Sequence, residues 1–371
     1  MSTETARRVR YVDFAAQFAA ERAELLPIVE AVFARGDFVG GAEIEQLENE
    51  IAADLGIAHA VACNSGTDAL ILALDALGIG PGDEVITAAN SFVASTAAIV
   101  RVGATPVFAD VLDDQLIDPQ AVAAAITPRT RAILPVHLTG RVCDMPALAA
   151  LAARHGLAIV EDAAQAYRSS LGGRFAGTFG AINAFSAHPL KNLGAAGDAG
   201  FVTTADATLA ARVRRRRNHG FVDRETALEW GSVSRLDTLQ AAVLRYRLRG
   251  VGATIVRRRS NAARYHALLD RARTWFPLEA PEHVGSYHLF VIQTERRDAL
   301  AAALAQRGVA TKIHYPTPIH LLPAAAGLGY ARGSLPVTER QAERILSLPI
   351  HQFLDAGDLA YVAQEIDAFF T

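Results

Sequence analysis

Short aliphatic runs recur between residues 57 and 205: HAVAC, DEVITAA, TPVFADV, RAILPVH, LAIVED, AINAFSA and GFVTT. They lack the polar alternation of a half-solvated strand, so each predicts a strand covered on both faces. Segments of helical period such as TDALILALDAL and MPALAALAARH separate them. This alternation predicts an α/β fold built on a mostly parallel seven-stranded sheet. Beyond it, 206–217 and 236–249 read as helices, and YHLFVIQT, RRDALAAALAQRG and DAGDLAYVAQEIDAFF suggest a smaller α+β unit. The expected division is 1–250, a large α/β domain with an N-terminal helical segment, and 251–371, a small C-terminal α+β domain.

Composition narrows the partners. The chain has 371 residues, 51% hydrophobic and 7% aromatic, which is the make-up of a folded protein rather than a disordered one. Thirty-six basic and 39 acidic residues give a net charge of −3, without the positive field expected of a nucleic-acid or membrane-surface binder. No apolar run reaches the roughly 18–20 residues of a membrane span. Arg7, Arg8 and Arg10 are followed by Asp13, Glu21 and Glu24 in a helical pattern with no secretory core, so a cytoplasmic protein is expected. Cys63 and Cys143 are not in metal-ligand spacing and read as small core residues, and no metal is expected. A small-molecule partner is what remains.

Ligands of such sheets bind beyond the carboxyl ends of the strands, so the residues after each run matter most. They are Asn64, Ser65, Gly66 and Thr67, then Ser91 and Phe92, His137, Asp162, and Ser186 with Lys191. In NSGTDAL a strand turns through Gly66 into a helix, whose free N–H groups and the Thr67 hydroxyl suit an anion. A capped turn accounts for the same residues. In FSAHPLKNLG, a partly desolvated Lys191 at the mouth of the sheet suits a Schiff-base nucleophile, though an ordinary loop lysine also fits. Asp162, after LAIVE, suits either a cationic partner or a helix N-cap. Together the three supply what pyridoxal 5'-phosphate requires: a lysine for its aldehyde, a carboxylate for its ring nitrogen and donors for its phosphate.

The ordered set NSGTDALILALDALGIGPGDEVITAANSFVAS, GATPVFADV, PVHLTGRVCDM, IVEDAAQAY, FSAHPLKNLGAAGDAGFVTT, RNHG, SRLDTLQAAVL and IHYPTPIH resembles the DegT/DnrJ/EryC1/StrS sugar aminotransferases. The resemblance implies a PLP-dependent transferase of fold type I, acting by ping-pong as a homodimer with active sites at the subunit interface. Its implied substrates are a nucleotide-linked keto sugar, dTDP- or another NDP-deoxy sugar, and L-glutamate as amino donor. By the same resemblance, Lys191 is the Schiff-base lysine, Asp162 the partner of the ring nitrogen and Gln165 the contact to the ring hydroxyl. Gly66, Thr67 and Ser186 match phosphate ligands, and Phe92 the aromatic that stacks on the ring. Tyr315 and His320 resemble positions near the sugar site, and His188 fills a slot where the family often has an aromatic or His; His219 and Arg235, beside the basic run at 214–217, are expected at the substrate's diphosphate. Two alternatives stay open: amination of a cyclic ketone such as an inosose or an aminodehydroquinate-type precursor, and a non-catalytic binding protein on the same fold.

One departure stands out. Where the family commonly reads GxNSR, with an Asn that crosses to the partner's phosphate, this chain reads Gly231-Ser232-Val233-Ser234-Arg235. Valine has no donor, so Ser232 or Ser234 substitutes, or the phosphate relies on its own subunit. The arginines at 214–217 offer positive charge for a diphosphate, or a basic helix end that complements the macrodipole. His137 either lines the cleft or closes its strand.

Overall fold

The computed structural model describes residues 7–371. Two helices, α1 (Phe14–Arg35) and α2 (Ala42–Leu55), lead into the alternating region. There β1 (His59–Cys63), α3 (Gly66–Ala76), β2 (Glu84–Ala88), α4 (Val93–Arg101), β3 (Thr105–Ala109), α5 (Pro119–Ala125), β4 (Thr130–Leu134), α6 (Met145–His155) and β5 (Ala158–Asp162) follow in turn. Two short strands, β6 (Ser170–Leu171) and β7 (Arg174–Phe175), precede β8 (Ile182–Ser186), β9 (Gly200–Thr204) and α7 (Ala207–Arg216). Each of the expected aliphatic runs thus becomes a strand of one sheet, ordered β1-β9-β8-β5-β4-β2-β3. Only β9 runs against its neighbours, pairing antiparallel with β1 and β8. The α/β architecture on a mostly parallel seven-stranded sheet is as expected.

The local causes are ordinary. Strands β2 and β9 are buried along their whole length, which is why the sequence shows no alternation there. Asp118, Asp144 and Asp206 accept the first free N–H groups of α5, α6 and α7, and left-handed Gly36, Gly56 and Gly156 end α1, α2 and α6. Cys63 and Cys143 are free and buried in the core, as expected. Among the described residues, no helix is long and apolar enough to cross a membrane.

The helix expected over 236–249 does not stop there. It is α8 (Thr238–Leu268), 31 residues long, and it runs through Gly250 and Gly252. Burial overrides the two glycines: Val251 and Ile255 belong to the large core, Ala262 and Tyr265 to the small one. Residue 250 therefore lies within a helix, and the core changes over between Ile255 and Ala262. The C-terminal part adds β10 (His283–Val284), β11 (Phe290–Gln293), α9 (Arg297–Gln306), α10 (Pro336–Arg344), β12 (Ile345–Leu348) and α11 (Ala356–Phe370). β11 and β12 pair antiparallel, and Val9 joins their core from the N-terminal side. Conversely, Ile319 and Leu335 pack on Ala89 and Phe108 of the large sheet.

Gly250 is exposed, and a Cβ placed on it meets nothing within 4 Å. Gly250→Ala should therefore stabilise the protein by about 0.5–1 kcal/mol in chemical denaturation. A loss of stability would contradict an uninterrupted α8.

Candidate active site

The polar residues converge where the ends of β1, β9, β8 and β5 lie side by side. Gly200 at the start of β9 pairs with Cys63 at the end of β1 and with Ser186 at the end of β8. Over this row sits the first turn of α3, and glycine is what allows the approach. A Cβ on Gly66 would lie 2.6 Å from the Ser186 Cβ and 3.0 Å from its Cα, and one on Gly200 would lie 2.4 Å from the Ser65 carbonyl. Ser65 caps α3 by accepting the Asp68 N–H at 3.1 Å. The N–H groups of Gly66 and Thr67 have no intrahelical acceptor, and with the Ser186 hydroxyl they form a cradle for an anion.

One strand over, β5 carries two adjacent carboxylates that face opposite ways. Asp162 is 5% exposed and is held by two donors, the Ser95 hydroxyl to Oδ2 at 2.7 Å and the Ala164 N–H to Oδ1 at 3.1 Å. Glu161, fully buried, accepts the N–H groups of Gly177 (2.7 Å), Phe179 (2.6 Å) and Gly180 (2.7 Å). His137 completes its shell, with Nε2 at 2.7 Å. The His137 Nδ1 accepts the Cys143 N–H at 3.2 Å, so this imidazole closes its strand and does not line the cleft.

Lys191 follows the bend at Pro189, its N–H bonded to the His188 carbonyl at 2.8 Å. Burial pushes its pKa down to about 8, against the opposing pull of the Asp162 carboxylate. Gln165 is buried, and its Oε1 accepts the Thr139 N–H at 2.7 Å, which leaves the amide nitrogen to donate. Tyr315 lies near Asp162 and Gln165, and burial pushes its phenol up to about 12, so it stays protonated. The exposed Phe92 ring, at the N-cap of α4, packs 5.6 Å from that of Tyr315. His314 is pushed down to about 4 by burial and by the charges of Lys191 and Lys312.

A clasp beneath Gln165 joins the two cores. Ser286, fully buried, donates its N–H to the Gly140 carbonyl (3.0 Å) and its hydroxyl to the Gln165 carbonyl (3.2 Å). Its carbonyl accepts from the Asn192 amide at 3.1 Å. Thr139 (φ 63) and Tyr287 (φ 48) sit in left-handed backbone on either side of this clasp, a cost that packing must hold in place. Ser95, Thr139 and Ser286 escaped sequence reading; only the place of Ser95 in the turn after Phe92 hinted that it faces the sheet.

Several expected substrate residues are placed elsewhere. His320 is 2% exposed, its Nε2 bonded to Glu339 at 3.0 Å and its ring packed against Phe108 and Tyr330, so it belongs to a structural cluster. The arginines at 214–217 do not face an anion: Arg214 and Arg217 pair with Glu48, Arg215 and Arg216 with Glu229, and Arg216 also with Asp75. His219 and Arg235 are not brought to Lys191 within the chain; Arg235 is tied to the Asn218 side chain at 2.8 Å and lines a separate groove beside α2. His188 does lie near Lys191, its Nδ1 accepting the Leu190 N–H at 3.2 Å. Of the two serines beside Val233, Ser234 is buried and donates to Asn64 Oδ1 at 3.1 Å, whereas Ser232 and Val233 are exposed.

Known proteins are similar to this chain along nearly its whole length. The DegT/DnrJ/EryC1/StrS aminotransferase family matches residues 19–367. A dTDP-3-amino-3,4,6-trideoxy-alpha-D-glucose transaminase of Streptomyces venezuelae is 47% identical over 94% of this chain and 92% of its own length. A UDP-N-acetyl-3-dehydro-alpha-D-glucosamine 3-aminotransferase of Acidithiobacillus ferrooxidans is 45% identical over 96% of each. The crystal structure of S. venezuelae DesV in complex with a ketimine intermediate superposes with a TM-score of 0.95 at 45% identity, covering 98% of both chains. The chain belongs to the DegT/DnrJ/EryC1/StrS aminotransferase family.

Proposed function

We propose that the protein is a pyridoxal-phosphate-dependent aminotransferase that converts the keto group of a nucleotide-linked deoxy sugar to an amine, with L-glutamate as donor, in a homodimer. The observation that carries this reading is the amine of Lys191, lowered to a pKa of about 8, set close to the oriented carboxylate of Asp162. The N–H groups of Gly66 and Thr67 beside the Ser186 hydroxyl suit a phosphate, and glycine at 66 and 200 is what lets the first turn of α3 sit so close to the strand ends. The two relatives named above act on a dTDP- and a UDP-linked sugar, which supports the substrate class and not one sugar.

Pyridoxal phosphate, when bound, supplies a conjugated ring that takes up the electron pair left when a C–H bond beside the amine ionises. The chain's own residues do the rest. Gly66, Thr67 and Ser186 would hold the phosphate, and the Gln165 amide nitrogen would reach the ring hydroxyl. Ser95 and Ala164 fix Asp162 so that its carboxylate holds a proton at the ring nitrogen. The Lys191 amine, free at neutral pH in a useful fraction, takes the proton from the donor's α-carbon and returns it during amination of the sugar. Phe92 and Tyr315 form one apolar wall of the site. With Ser234 bonded to Asn64 and no donor on Val233, the exposed Ser232 is the hydroxyl this segment leaves for a partner's phosphate, beside the groups of the phosphate's own subunit. The dimer is supported by apolar side chains left in solvent, Phe14, Phe18, Phe33 and Phe38 on or beside α1 and Trp230 at 92% exposure.

The purified protein should be yellow and lose that colour on addition of L-glutamate. A panel of NDP-3-keto and NDP-4-keto sugars should restore it, with an aminated sugar detected by mass spectrometry. Lys191→Ala should cut turnover by at least about 10²–10⁴-fold, and turnover near wild type would refute the assignment. In the apoprotein, reductive methylation of Lys191 should rise with a midpoint near pH 8, because only the unprotonated amine reacts. Asp162→Asn should move that midpoint lower still, since the carboxylate is what favours the charged form; a midpoint at 10.5 would contradict the burial argument. Light scattering should give twice the 39.5 kDa chain mass, and a monomer would remove the shared interface.

A further inference from the structure

Arg258 on α8 is unused by the site described so far. Its side chain is buried, at 8% exposure, and among the described residues no carboxylate pairs with it. Nη1 donates to the carbonyls of Tyr287 (3.1 Å) and His288 (3.2 Å), while Nε has no partner. Its neighbours are accounted for: Arg257 bonds the Leu354 carbonyl and Arg259 pairs with Glu279. Burial lowers the Arg258 pKa to about 10, so it is still a cation at neutral pH. A buried guanidinium without a counter-ion is costly, and the cost is removed when an anion arrives.

Arg258 lines a cavity of about 460 Å³ whose wall also includes Lys191 and Asn192. Further polar atoms nearby lack partners: Asn192 Oδ1, His288 Nδ1 and the Tyr11 hydroxyl. His288 lies within the influence of both Lys191 and Arg258, and burial with those charges keeps its imidazole neutral. The acids of the cavity do not supply the missing anion. Asp13 is bonded to Arg10 and caps α1, Glu21 pairs with Arg247, and Glu24 is exposed. Lys191 and a guanidinium without a carboxylate partner thus line one cavity.

We propose that Arg258 is the carboxylate anchor of the amino-group donor. An α-amino dicarboxylate such as glutamate enters this cavity with its amine at Lys191 and one carboxylate on Arg258 Nη2, which makes no hydrogen bond within the chain. A guanidinium N–H donating to a carboxylate is a charge-assisted bond, the strong kind. The inference rests on the aminotransferase reading, and it assigns the donor's hold to the junction of the two cores.

The test separates the half-reactions of the holoenzyme in Arg258→Gln and Arg258→Lys. In Arg258→Gln the glutamate concentration that gives half-maximal loss of colour should rise on the order of 100-fold. Return of colour with the keto sugar should change by no more than about twofold. Arg258→Lys, which keeps the charge and loses the guanidinium, should fall between. Calorimetric binding of glutarate, a dicarboxylate with no amine to react, should be seen in wild type and lost in Arg258→Gln. An unchanged glutamate dependence overturns the proposal, and so does an equal loss in both half-reactions, the result expected if Arg258 holds the sugar's diphosphate or merely the fold. If glutamate does not decolour even the wild type, the donor reading fails; equal glutarate affinity in wild type and variant then overturns the anchor separately.

Discussion

The end of β5 carries the constraint around which the molecule is organised: two consecutive carboxylates, Glu161 and Asp162, both taken out of water on opposite faces of one strand. Burying a carboxylate is tolerable only when its lone pairs are occupied. Glu161 meets this with three backbone N–H groups from the 177–180 turn and the His137 ring. That shell ties β5 to the turn before β8 and to the segment after β4, so the strand end cannot rotate. Asp162 is then aimed the other way, toward Lys191. A carboxylate of the candidate site is thus oriented by one that lies outside it.

How much of this could be read beforehand depended on the range of the interaction. The seven strands were legible because each is buried on both faces and therefore continuous in aliphatic residues. Lys191 and Asp162 were legible because strand ends in such a sheet carry the ligand groups. Ser95 was not, since nothing local announces that it bonds a residue 67 positions away. The same holds for Ser286, whose partners Gly140, Gln165 and Asn192 come from three separate segments. Gly250 misled for a related reason: local propensity ends a helix there, and packing against two cores carries it on.

Charge was the least legible property. The arginines at 214–217 form the densest basic run in the chain, yet each is paired with a carboxylate, Glu48 and Asp75 from far upstream and Glu229 from the following loop. His320 similarly carries an imidazole that looks available and is used by Glu339. A basic run is visible in sequence, whereas the absence of a counter-ion is not, because it is a statement about everything folded around the residue. Arg258 sits in the run RRR at 257–259 with nothing local to distinguish it from its neighbours.

What distinguishes it is position along α8. The helix is long enough to leave the large core at Ile255 and enter the small one at Ala262, and Arg258 falls on the stretch between. A guanidinium there is buried by both cores but belongs to neither, which is why no acid within either was placed to meet it. The nearest reacting amine, Lys191, hangs from the large core, and its neighbour Asn192 is bonded to Ser286 on the far side. A ligand spanning Lys191 and Arg258 therefore spans the junction itself. Its charge would fill a deficit that the fold leaves open.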